Sequence, residues 1–235
     1  MELPTNITDI RELLRTRFPL AQAAELTPAA EIHTGVTCLD QMGMQAGRLH
    51  EIVCHGRAAG AGLLLSALLD GGGQEIKQPV ALVDGADVFN PLDISAETRE
   101  RLLWLRCRDA AQAVKGADLL LRDGNMPRVL MDLILCPDST VRRIPAQVWH
   151  RLRMLAEKSG ALCCVFTAFQ TVPCVRSRLV LKLPHGLDAL DRPRAELAAQ
   201  LRGAVVCRGI GGETALRTSG LPLPLPLPLP LAAAG

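Results

Sequence analysis

Short, continuous apolar runs alternate with stretches of helical periodicity along most of this chain. EIVC (51–54), PVALVD (79–84), LLWLRC (102–107), VLMDLILC (129–136), ALCCVFTAF (161–169), RLVLKLP (178–184) and AVVCRG (204–209) are rich in Val, Leu, Ile and Cys. Runs of this kind, lacking polar alternation, predict strands buried on both faces. Between them the apolar residues Leu63 to Leu69 predict a helix, and Ser95-x-x-Thr98 starts another over 95–101. In 109–124, Ala110, Ala113, Val114, Ala117, Leu120 and Leu121 recur at helical spacing, and Gly124 is the stop signal. In 146–160, Val148, Leu152, Leu155 and Ala156 share one helix face and Gly160 ends it. Residues 195–203 fit either a short helix or an extended segment. Strands alternating with helices predict an α/β fold, a mostly parallel sheet sandwiched by helices. The last strands, joined by short connections, are expected to form an antiparallel edge.

Both termini depart from this rhythm. TDIRELLRTR (8–17) predicts a short amphipathic helix, capped by Thr8 or Asp9, with Ile10, Leu13 and Leu14 on one side. Pro19 and Pro28 frame the connector behind it. Residues 221–231 alternate leucine with proline, which excludes both helix and sheet ladder and predicts an extended, polyproline-II-like tail. The expected organisation is an N-terminal helix and connector (1–30), a core domain (31–212) and a disordered Leu-Pro-rich tail (213–235).

Composition narrows the function classes. A net charge of +2 gives no basic field over the whole surface, so any DNA contact has to come from local arginine clusters. The eight cysteines show no C-x-x-C pair and no zinc spacing, and several sit inside the apolar runs. They read as reduced, buried thiols acting as small hydrophobes, with no metal site expected. The five histidines are scattered without ligand spacing, and no nucleophile–base arrangement stands out. The first residues carry Glu2, Asp9 and Glu12 without a long apolar segment, so no signal peptide is expected. No apolar stretch approaches the ~20 residues a membrane span needs. The expected compartment is the cytoplasm.

One stretch carries the outline of a chemical site. EIVCHGRAAGAG (51–62) runs from a strand into a glycine-bearing loop and then into the helix from Leu63. Such a loop presents backbone N–H groups and a helix N-terminus to a phosphate. The pattern G-x-x-x-x-G-K-[ST] supplies the lysine for the β/γ-phosphates and the hydroxyl for Mg²⁺. Counted from Gly56, those positions hold Ala61, Gly62 and Leu63. Gly56, Arg57, Gly60 and Gly62 are the candidate, degenerate nucleotide-binding residues, with Arg57 the cation inside the loop. Without the lysine and the hydroxyl, hydrolysis is not expected, and a plain strand-to-helix turn is the competing reading.

Several of these pieces, in the same order, resemble the RecA-like recombinase core. They are Thr34-Gly35 with Leu39-Asp40, then Gly47-Arg48-Leu49-x-Glu51-Ile52, the loop at Gly56, LVDGADVFNP, and the tract from Leu102 to Asp132. The resemblance covers roughly residues 30–185. It implies that Asp132 stands at the Walker B position, as a fifth nucleotide-site residue. It also implies that Arg142, Arg143, Arg176 and Arg178 lie on DNA-facing loops. The family's water-polarising carboxylate would fall at Ala86, with Asp87 beside it. The segment QTVPCVRS after Phe169 is shorter than a recombinase's DNA-binding loop.

Within that family the chain is most similar to the ImuA/SulA-like accessory proteins of bacteria, notably in RRIPAQVWHRLRMLAEKSGALCCVFT. That similarity implies a non-hydrolysing partner protein in the SOS response, scaffolding translesion DNA synthesis. The implied partners are a Y-family-like polymerase homologue and RecA itself, with direct DNA contact left open and no membrane. No cofactor is expected, ATP with Mg²⁺ being the alternative. The other readings are a DNA-dependent ATPase with an atypical loop and a SulA-type cell-division inhibitor.

Overall fold

The computed structural model describes residues 33–55, 60–71, 78–175, 177–181, 191–201, 203–209 and 212–218. The N-terminal helix expected over 8–17 and the Leu-Pro segment lie outside them. In chain order the elements are α1 (Thr37–Asp40), β1 (Leu49–Cys54), α2 (Ala61–Asp70), β2 (Val80–Asp84), α3 (Ala96–Arg101), β3 (Leu102–Arg106), α4 (Ala110–Asp123) and β4 (Arg128–Asp132). There follow α5 (Asp138–Val141), α6 (Ala146–Ser159), β5 (Leu162–Thr167), β6 (Ser177–Leu181), α7 (Arg194–Gln200), β7 (Gly203–Gly209) and β8 (Gly212–Thr218).

The eight strands among the described residues form one sheet, in the order β3-β2-β4-β5-β1-β6-β7-β8. The pairs from β3 to β6 are parallel, and β7 and β8 add an antiparallel edge. The fold is therefore α/β, with a mostly parallel sheet between helices. Parallel strands need right-handed crossovers. The chain moves outward from β1 through β2 to β3, then turns back through β4 to β5. That reversal sends its helices to opposite faces. Residues of α4, α5 and α6 pack with Ala81, Val83, Val129, Met131, Cys163 and Val165 on one face. Residues of α1, α2 and α7 pack with Ile52, Leu82, Leu130, Phe166, Leu179 and Val205 on the other. Along the inner strands β1, β2, β5 and β6 this alternation explains the unbroken apolar runs, because side chains on both sides meet a covered face.

Local chemistry sets the helix ends. Asp109 accepts a bond from the Gln112 N–H at the start of α4, and Ser95 does the same for Thr98 at α3. Gly124 and Gly160 end α4 and α6 at φ of 76° and 72°, the left-handed conformation that glycine takes without strain. At the C-terminus of α2, Arg101 donates to the Leu69 and Asp70 carbonyls and the buried Arg128 donates to that of Leu68. Two cations thus meet the negative end of the helix.

Three expectations need correction, and one open choice is settled. The run 129–136 is a strand only to Asp132, because the buried Leu133 and Cys136 belong to a turn. LLWLRC is a half-buried edge strand. The core does not stop at 212, since 212–218 pairs with β7 as β8. Residues 194–200 are helical, which settles the open choice for that segment.

Candidate functional site

The candidate site lies at the carboxyl ends of the parallel strands, where open α/β sheets bind ligands. β1 ends at Cys54, between β5 and β6, and α2 opens from Gly60 at φ 80°. Gly56 and Arg57 lie outside the described residues. The Leu63 and Leu64 N–H groups bond back to the Gly60 carbonyl. A Cβ built on Gly62 would meet nothing within 4 Å. The position where a phosphate loop carries its lysine thus faces open space, and this chain leaves it without a side chain.

Thr34, Gly35 and Asp40 have a structural task. Asp40 Oδ1 accepts the Thr34 N–H at 2.6 Å and its hydroxyl at 3.0 Å. This clasp turns the chain into α1 and sends Cys38 and Leu39 into the core.

Asp132 ends β4 directly beside Asp84, which ends β2. Both project on the α2 face, together with the buried Cys54. Asp84 is buried and accepts the Val88 and Phe89 N–H groups and the Trp104 Nε1–H. Asp132 accepts the Ile134 N–H at 2.9 Å. Burial pushes the Asp132 carboxyl up to about 6; the Ile134 bond opposes this and the like charge of Asp84 adds to it. Burial, with the Asp132 charge second, pushes the Cys54 thiol up to about 12, so it is a neutral neighbour. The backbone is tight here. A Cβ on Gly85 would come within 2.8 Å of the Asp132 carbonyl oxygen, so glycine alone lets β2 and β4 close behind their carboxylates. Asp84 and Asp132 are the carboxylates that would hold a divalent cation. Among the described residues no group of three or more His, Cys, Asp and Glu suited to a metal ion gathers.

Asp87 does not replace the missing carboxylate at Ala86. It takes a φ of 56° and turns to the sheet edge, where Arg106 Nε and Nη2 hold it at 2.6 and 2.8 Å. That two-point bond keeps its carboxyl below the usual range.

The four arginines placed on DNA-facing loops divide. Arg178 is corrected: it begins inside β6, is buried, and donates from Nε to Glu51 Oε2 at 2.6 Å. Its Nη2 donates to the Val172 carbonyl at 2.7 Å. Glu51 Oε1 accepts from the Thr167 hydroxyl and from the Thr171 and Val172 N–H groups. The pair therefore ties the segment after β5 to the central strand. Arg142 is exposed and stacks over the Phe169 ring at 3.8 Å, an aromatic partner that sequence spacing did not reveal. Arg143 is exposed. Arg176 lies outside the described residues.

Six of the seven described cysteines are buried, as their apolar setting predicts. No helix among the described residues is long and apolar enough to cross a membrane. No family model matches the chain, and no curated protein is significantly similar to it.

Proposed function

We propose that this chain is a RecA-like core that does not hydrolyse nucleotide. In this reading it scaffolds translesion DNA synthesis in the bacterial SOS response. The observation that carries it is twofold: Gly62 at the start of α2 leaves the lysine position without a side chain, and the strand ends on the α2 face carry two adjacent carboxylates, Asp84 and Asp132. Phosphoryl transfer rests on positioning and on neutralising charge. A triphosphate entering here would meet like charge, and Asp132 already feels that excess through Asp84. Support for the RecA-like part comes from the central position of β1, the helices on both faces and the antiparallel edge.

The partners are a Y-family-like polymerase homologue and RecA, met through protein contacts in the cytoplasm. Co-purification from damage-treated cells tests this. Both partners should be recovered equally by the wild type and by Asp132→Ala, with or without ATP. Recovery of neither, or recovery that needs Mg²⁺-ATP and is lost in Asp132→Ala, overturns the scaffold reading.

A second reading, a DNA-dependent ATPase, is favoured by one feature. A strand-end acid held near 6 beside another carboxylate is typical of working sites. In that case Arg57 would supply the loop's cation and Asp132 would orient Mg²⁺.

A further inference from the structure

On the face away from the strand-end site, α4 and α6 lie side by side with α5 closing one end. Both helices return between parallel strands, so they run in the same direction. Two contiguous cavities of about 420 and about 400 Å³ share Val114, Lys115 and Val148, and together make a trough along this helix pair. Its floor is apolar, with Val114, Val148 and Ile144 all half-buried. Its rim is basic: Lys115 and Arg122 stand on α4, Arg143 before α6 and Arg151 on α6. Against these four cations stands Asp118, which holds both Arg122 and Arg151. Lys115 and Arg143 have no ion-pair partner among the described residues.

We propose that this trough docks an acidic amphipathic helix from a partner protein. The floor requires an apolar stripe, and the excess positive rim requires acidic flanks on either side of it. A helix with side chains is about 10 Å across and packs into the groove between two others at an interaxial distance of about 8–10 Å. A rim of net positive charge steers such a ligand and disfavours basic competitors. Nucleic acid fits less well, because the floor is aliphatic and offers no ring for a base to stack on. The inference deepens the scaffold reading by naming a partner surface, but it stands on the trough alone. ATP binding at the strand ends would overturn the scaffold reading and leave the trough untouched.

The test uses a fluorescent peptide of about 16 residues, long enough for four helical turns. Leucines form one stripe and glutamates flank it; a second peptide scrambles the same residues. The first should bind the full chain, and the scrambled one roughly tenfold more weakly, because both halves of the pattern are read. Lys115→Glu with Arg143→Glu, two exposed changes, should weaken binding about tenfold, while circular dichroism stays unchanged. Val148→Gln, which keeps the charge and spoils the floor, should weaken it as well. Equal binding of both peptides, no binding of either, or displacement of the peptide by oligothymidylate in preference to excess unlabelled peptide overturns the proposal.

Discussion

Glu51→Ala is expected to lower the free energy of unfolding by about 3–5 kcal/mol, among the largest single losses in this fold. The glutamate is fully buried in the central strand, and Arg178 opposite it is nearly so. Removing the carboxylate strands the guanidinium charge beneath the sheet. It also leaves the Thr171 and Val172 N–H groups without their acceptor. Glu51→Gln should fall between, since an amide still accepts those bonds but no longer balances the charge. Urea melts of the three proteins measure the effect, and a loss under ~1 kcal/mol for Glu51→Ala would refute the pairing. The segment after β5 should loosen as well, with faster amide exchange at 171 and 172.

Asp132→Asn is expected to act in the other direction. The Asp132 carboxyl titrates near 6 in the folded chain, against roughly 4 for an unfolded aspartate. The folded state therefore holds this proton more tightly than the unfolded state does. As pH rises from about 4 through 6, the unfolded chain ionises first, and the fold loses stability until both forms are ionised. Asparagine mimics the protonated acid and keeps an oxygen to accept the Ile134 N–H. The variant should be more stable than wild type by about 1–3 kcal/mol at pH 7.5, the gain shrinking to nothing near pH 4. Paired denaturation curves at the two pH values check it. A variant less stable than wild type at pH 7.5 would mean that a cation already compensates Asp132. Stability given up at such a position is what a site retained for a task, or inherited from one, shows.

Much of the sheet was legible because both of its faces are covered, which turns each parallel strand into an unbroken apolar word. The same logic failed at Leu133 to Cys136. A buried turn reads as apolar as a strand, and only the Asp132 bond to Ile134 marks the break. β3 looked buried because Trp104 and its leucines are apolar, although an edge strand needs only one neighbour. β8 escaped notice beside the Leu-Pro tail, because GETALRT has neither an unbroken apolar run nor a strict polar–apolar alternation.

For the site, the missing lysine and hydroxyl were visible, and the resemblance singled out Asp132, whose place at the end of β4 only the structure shows. What was not visible was pairing across the sheet. Asp84 is the neighbour of Asp132, while Asp87 turns away to Arg106. Arg178 looked like a loop cation because its partner lies 127 residues away. A clue was present in Glu51, a charge in the middle of an apolar strand, which demands a buried counter-ion.

The central claim is that the loop between β1 and α2 does not serve a nucleotide. Calorimetry of the purified full chain with ATP, with and without Mg²⁺ and single-stranded DNA, tests it most directly. No detectable heat of binding at millimolar ATP is the predicted result. Mg²⁺-dependent binding that disappears in Asp132→Ala would contradict it and make Asp84 and Asp132 parts of a working ATPase.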